Sequence, residues 1–285
     1  MPFAQSSGVK LYFEETGSGY PIVFVHEFAG DYHAWEPQVR FFSRQYRCIT
    51  YNARGYPPSD VPERDDQYGQ AQAADDIAAI FAHLGLRKGH VVGLSMGGFA
   101  ALHFGLRHSD LPSALVVAGC GSGAPKSERE TFARGCNATA ERFLKEGSEK
   151  VAPSLGLGTT RIQLKNKDPR GWAEFVRHLA EHSAQGSAFT LRNYQALRPS
   201  LYDLEQELKR LSVPILLAVG DEDDPCLDAN LFLKRTIPSA GLWMVPRSGH
   251  AINLEEPEAF NRAVQDFFSS VERGRWPLRD RGAGV

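Results

Sequence analysis

The chain has 285 residues, with 32 Lys and Arg against 34 Asp and Glu, so its formal net charge is −2 and its pI about 6.5. That balance gives no electrostatic footprint for nucleic acid. The longest apolar runs, residues 22–25 and 215–219, fall far short of the roughly 18 residues a membrane span requires. With 42% hydrophobic and 23% charged residues, the chain can bury a core without metal or disulfide support.

The first residues, Met1 to Ser7, show neither a basic start nor an apolar stretch, so the expectation is a cytoplasmic protein without a signal peptide. Cys48, Cys120, Cys136 and Cys226 lie too far apart for a zinc site or a small disulfide framework, and read as buried free thiols. The partner expected is a small molecule, with no nucleic acid, membrane or metal; the oligomeric state is left open.

Along the chain, Val9, Leu11 and Phe13 alternate with Lys10, Tyr12 and Glu14, the period-two pattern of a half-buried strand. Gly17 and Gly19 make a turn, and residues 22–25 form a short continuous apolar strand. A loop, 26–31, leads into a helix around 35–43, then a strand over 46–51. Pro57, Pro58 and Pro62 make the next segment a loop that no helix could cross. Ile77, Ile80, Phe81 and Leu84 lie at helical spacing, with Gly85 placed to end the helix. A strand over 90–94, a helix over 96–107 and a strand over 115–118 follow. Buried strands alternating with helices predict an α/β protein with a mostly parallel sheet covered on both faces.

The alternation stops at residue 124. From 124 to 211 the chain reads as helical, with Phe132, Cys136 and Phe143 marking one amphipathic stretch. Trp172, Phe175, Val176 and Leu179 mark another, opened by Asp168-Pro169, a cap followed by proline in the first turn. Strand and helix alternate again over 213–219, 227–236, 242–245 and 257–271. Residues 1–123 and 212–285 therefore read as one core, and 124–211 as a helical cap inserted in it. The tail, with Arg273, Arg275, Arg279 and Arg281, reads as frayed and solvated.

Chemistry concentrates in Gly93-Leu-Ser95-Met-Gly97. The pattern G-x-S-x-G is weak alone, but here a strand precedes it and a helix follows, as a nucleophile elbow requires. Glycines two before and two after the serine keep side chains off neighbouring backbone. A serine hydroxyl needs a base and an orienting carboxylate. His250 lies in a loop between the last strand and the last helix. The other histidines sit on helices or precede the serine, and His26 reads as a brace for its loop. Asp221, Glu222, Asp223 and Asp224 follow a buried strand; the repulsion among four acids leaves room for one buried partner.

With Ser95, an acid and His250 in this chain order, the sequence resembles the α/β-hydrolase fold enzymes of the esterase, lipase and carbon–carbon-bond hydrolase group, from about residue 9 to 271. The resemblance implies that Asp223, fourth in Gly220-Asp-Glu-Asp223, is the acid, and that the N–H groups of Phe28 and Met96 hold an oxyanion. It also implies a cap and no cofactor. Two departures stand out. Glu27 replaces the glycine of an H-G-x loop, and Asn52-Ala-Arg54-Gly-Tyr-Pro-Pro58 stands where relatives often have D-x-R-G-x-G-x-S. Glu27 beside an oxyanion must be turned away, neutralised by a cation or protonated; Arg54, after the neighbouring strand, is the expected partner, with backbone N–H groups or plain exposure to water as the alternatives.

The leading reading is a cofactor-free serine hydrolase that cleaves an ester or related acyl bond of a small apolar molecule through an acyl-enzyme. The alternative is hydrolysis of a carbon–carbon bond or an enol-lactone by the same triad, with Arg54, Arg192 or Lys165 as an anchor for an acidic substrate. A serine at the elbow argues against dehalogenation and epoxide opening, which need a carboxylate there. A non-enzymatic reading is a hydrolase-like small-molecule receptor. Glu27, Trp35, Trp172, Phe175 and Tyr194 are the candidates for contact with substrate.

Overall fold

The computed structural model describes residues 2–280; Arg281, one of the four tail arginines, lies outside the described residues. Eight strands form one sheet: β1 (Phe3–Ser6), β2 (Val9–Thr16), β3 (Tyr20–Val25), β4 (Tyr46–Tyr51), β5 (Gly89–Leu94), β6 (Pro112–Ala118), β7 (Ile215–Gly220) and β8 (Ala240–Val245). Their order is β1-β2-β4-β3-β5-β6-β7-β8. β1 and β4 each pair antiparallel with β2, and all other ladders are parallel, with Val23 opposite Val91 and Val117 opposite Leu217. All six residues of β5 and of β7 are buried, as expected for strands covered on both faces.

Helices α1 (Glu36–Phe42), α2 (Gln70–His83) and α3 (Met96–Arg107) follow β3, β4 and β5. Between β6 and β7 come α4 (Arg129–Glu146), α5 (Ser148–Gly156), α6 (Ile162–Lys167), α7 (Pro169–Ala180), α8 (Ala184–Phe189), a π-helical turn at Thr190–Gln195 and α9 (Glu205–Leu208). After β7 come α10 (Asp224–Thr236), α11 (Ile252–Glu255) and α12 (Pro257–Glu272). On one face of the sheet Val23, Val91 and Leu217 pack with Ile77, Phe81 and Phe104. On the other, Phe24, Val92 and Ala218 pack with Phe42, Phe260 and Phe268. Each large side chain buried in this way contributes roughly 1.5–3 kcal/mol.

The inserted helices are held by their own capping and by contact with the core. The Asp168 carboxylate accepts the Gly171 N–H at 2.9 Å, with Pro169 in the first turn of α7. Leu164, Phe175 and Leu179 pack against Phe28 and Ala29 of the loop after β3. Cys136, Ala140 and Phe143 of α4 pack against Ala188 and Leu191. All four cysteines are free and buried.

Two features depart from the sequence reading. β1 adds an edge hairpin that the pattern does not announce, because four residues are too few to show a period. As far as Asp280 the tail is docked rather than frayed. Trp276 donates its indole N–H to the Ser239 carbonyl at 2.7 Å and packs on Phe267, while the Arg279 N–H reaches Pro238. Gly241 makes this possible: a Cβ there would lie 2.6 Å from the Trp276 ring.

Burial of His103 on α3 makes the fold sensitive to acid. Desolvation, aided by Arg198 and Arg107, lowers its pKa from 6.5 to about 4. Below the unfolded value the unfolded chain takes up a proton that the folded protein refuses. Stability therefore falls as pH drops from about 6.5 to about 4, by roughly 3 kcal/mol from this side chain. Denaturant titrations of wild type and His103→Gln across this range are expected to diverge from parallel, the variant having the shallower loss. Equal slopes would contradict the assignment.

Candidate active site

Ser95 sits at the junction of β5 and α3 with φ 53° and ψ −114°. A non-glycine residue held there stores on the order of 1–3 kcal/mol, and such strain gathers at functional positions. The two flanking glycines are sterically required. A Cβ on Gly93 would collide with the Gly97 carbonyl, and one on Gly97 would collide with the Val25 carbonyl. The start of α3 thus lies directly on the end of β3. The Ser95 N–H is tied to the Ala118 carbonyl at 2.7 Å, and the side chain stays partly exposed.

His250 comes from the opposite end of the chain to the turn after β6, one residue beyond the Ala118 carbonyl that holds the Ser95 N–H. Its ring lies against Gly119, where an added Cβ would be 3.3 Å from both the imidazole and Leu94. Its Nδ1 is 2.7 Å from the Asp223 carboxylate, and both side chains are buried. Gly220, at the end of β7, lets that strand abut the Ser248–Gly249 backbone, which fixes the acid and the imidazole on adjoining turns. Burial pushes the Asp223 carboxyl up, but its interactions with His250, with help from Cys226 and Arg161, outweigh this and hold it below the usual carboxylate range. The other three acids are exposed: Asp221 accepts the Ser248 N–H at 3.2 Å, Glu222 bonds Gln163, and Asp224 opens α10.

The Phe28 and Met96 main-chain N–H groups donate no hydrogen bond among the described residues, so both are free for a ligand oxygen. Two buried phenols steady these residues: Tyr56 donates to the Phe28 carbonyl at 2.9 Å, and Tyr194 to the Met96 carbonyl at 2.8 Å. His26 braces the loop from within, with Nδ1 on the Glu27 carbonyl and Nε2 accepting the Ala53 N–H.

Glu27 is only 2% exposed, and its cation is not Arg54. Arg54 is engaged by Asp76 of α2 through two bonds of 2.6 and 2.8 Å. Arg161, the residue before α6 in the cap, takes that place and forms a buried ion pair with Glu27. The Ala29 N–H also reaches the Glu27 carboxylate, at 3.3 Å. Sequence reasoning missed Arg161 because it stands 134 positions away, with nothing around it to mark it. It also missed Glu255, whose buried carboxylate accepts the N–H of Gly249 at 2.7 Å and of Ala251 at 3.1 Å, clamping the backbone on both sides of His250.

The remaining substrate-contact candidates do not line one pocket. Trp35 is core, packed on Phe24 and Phe260 beneath the sheet. Trp172 donates to the Gly156 carbonyl at 2.6 Å within the cap. Tyr194 spends its hydroxyl on Met96. Phe175 lines a cleft of about 360 Å³ between α7 and the loop after β3. Of the expected anchors, Arg54 is held by Asp76, Arg192 pairs with Glu141, and Lys165 lies over the Trp172 ring.

With this geometry in view, the likeness to known proteins is informative. A model of the alpha/beta hydrolase fold matches residues 20–257. The 3-oxoadipate enol-lactonase 1 of Acinetobacter baylyi is 29% identical over 252 residues, 88% of this chain and 89% of its own. A putative 2-succinyl-6-hydroxy-2,4-cyclohexadiene-1-carboxylate synthase of Bacillus subtilis is 26% identical over 279 residues, 93% and 97% of the two chains. Among solved structures, a thermophilic esterase from Thermogutta terrifontis superposes with a TM-score of 0.82 at 27% identity, covering 95% of this chain and 98% of that one. No helix among the described residues is long and apolar enough to cross a membrane.

Proposed function

The chain belongs to the α/β-hydrolase fold family and is an enzyme of the serine-hydrolase type, and from that premise we propose that it opens a small enol-lactone through Ser95, His250 and Asp223. The observation that carries the chemistry is the convergence of a strained serine, an aspartate-bound imidazole and two free N–H groups on the ends of β3, β5 and β7. The choice of substrate leans on the relatives, among whose names are two 3-oxoadipate enol-lactonases and several putative carbamate hydrolases but no simple esterase. This places the sequence's alternative ahead of its leading reading.

In this mechanism Ser95 Oγ attacks the lactone carbonyl while His250 Nε2 takes its proton. The oxyanion forms between the Phe28 and Met96 N–H groups, and the Asp223 carboxylate, still ionised, accepts a hydrogen bond from the Nδ1–H and steadies the imidazolium. Collapse expels the ring oxygen as an enol, which receives the proton from His250 and tautomerises to a ketone still attached through the acyl group. Water, deprotonated by His250, then releases the keto acid and restores Ser95. An enol leaves more readily than an alkoxide, so less is asked of the general acid.

Ester hydrolysis is the second reading, supported by the esterase likeness. Turnover of a five-membered enol-lactone, a p-nitrophenyl ester of matched acyl length and a vinylogous diketone separates the possibilities. The enol-lactone is expected to show a kcat/KM at least about tenfold above the others. A comparable margin in favour of the ester would overturn the proposal and leave an esterase.

A further inference from the structure

A second cluster of side chains joins the cap to the core on the rim of the 360 Å³ cleft, and the reading of Ser95 and His250 makes no use of it. Asp31 ends the loop after β3 and caps the short turn at Tyr32–Trp35, accepting the His33 N–H at 2.9 Å. His33 turns its Nδ1 back onto the same carboxylate, 3.1 and 3.2 Å from its two oxygens. His178, in the last turn of α7, lays its ring 4.3 Å from that of His33, at 32°. The nearest donor atoms of the three side chains all lie within 4.8 Å of one another.

We propose that Asp31, His33 and His178 form a zinc(II) site that clamps the cap onto the loop carrying Glu27 and Phe28. Two imidazoles and one carboxylate are a donor set suited to zinc, which binds nitrogen and oxygen at about 2.0–2.2 Å in a tetrahedron. Those bond lengths put neighbouring ligand atoms roughly 3.3–3.5 Å apart. The Asp31–His33 edge already has nearly that length, so only His178 has to close, by rotation of a partly exposed ring. Its Nε2 now accepts a hydrogen bond from Arg177 at 2.6 Å. Arg177 has a second partner in Glu181, at 3.0 Å, to hold it when the metal takes the imidazole. Three protein ligands leave the fourth position open toward the cleft, whose nearby walls include Leu164, Phe175 and Leu254.

The test uses the full-length chain without an affinity tag, stripped with EDTA, freed of chelator and titrated with zinc chloride by calorimetry. One equivalent is expected to bind. His33→Ala and His178→Ala are expected to weaken binding at least about tenfold, as loss of one ligand or more should. Circular dichroism checks that each variant is folded. His33 is exposed, so its replacement reports on the site even if the His178 variant misfolds. Zinc is also expected to raise the melting temperature and slow proteolysis of the cap in wild type and in neither variant. Absence of stoichiometric binding would overturn the proposal. So would equal binding by the variants, which would point instead to Asp223, Cys226 and His250, the other set able to hold an ion. Binding without any change in melting or cap proteolysis would overturn the clamp.

Discussion

Replacing Ser95 by alanine is expected to lower kcat about a millionfold while leaving the fold intact, the scale found when the serine or histidine of such a triad is lost. The alanine keeps φ near 53°, adds no bulk beside Gly93 or Gly97 and leaves the Phe28 and Met96 N–H groups where they are. What disappears is the atom that becomes acylated. His250→Ala is expected to match it, and the double variant to be no worse than either, because the two groups act in one step. Asp223→Asn should cost about ten-thousandfold, since an amide can present its N–H to Nδ1 and hold the imidazole in the wrong tautomer. Fluorophosphonate labelling followed by mass spectrometry checks the assignment independently, with Ser95 the modified residue. An alanine variant with more than about 1% of wild-type turnover would remove the serine from the mechanism.

The parts of the molecule legible in the sequence are those specified by their nearest neighbours. Ser95 could be singled out because a buried run before it, a helix after it and two glycines around it all constrain the same turn. The alternation of strands with helices gave the mostly parallel sheet, and Asp168-Pro169 gave the start of α7, for the same local reason. The candidate acids narrowed to one loop because it follows a buried strand; repulsion leaves room for one of the four, and only the resemblance singles out Asp223. Whatever depends on a partner far along the chain stayed hidden. Arg54 looked like the partner of Glu27 because their strands adjoin, yet Asp76 on α2 offers it a bidentate fit. Trp35 and Phe175 have equally apolar surroundings in sequence, and only the packing shows that one lies under the sheet and the other on a cleft. The clamp by Glu255 was invisible because a four-residue helix has no period to read.

Arg161 carries the other large expected effect, and it follows from the departure that Glu27 represents. A buried ion pair adds little net stability, but removing one partner strands the other and costs about 3–5 kcal/mol. Arg161→Met is therefore expected to destabilise the protein by that amount, because it would leave the Glu27 carboxylate without a cation at 2% exposure, with only the Ala29 N–H beside it. Turnover should suffer as well. Glu27 directly precedes Phe28, so an uncompensated carboxylate would oppose the oxyanion. At a separation of about 5 Å and an effective dielectric near 20, the repulsion is on the order of 3 kcal/mol, or roughly a hundredfold in kcat. Adding Glu27→Gln to Arg161→Met removes the stranded charge, and most of both losses should return. Kinetics and denaturant melts of the wild type, both single variants and the double variant measure the coupling directly. A single variant Arg161→Met with turnover within about twofold of wild type would show that the Glu27 charge does not reach the reacting carbonyl. A double variant no better than that single one would show that Arg161 acts through Asp223 and Glu255, the other carboxylates its charge reaches.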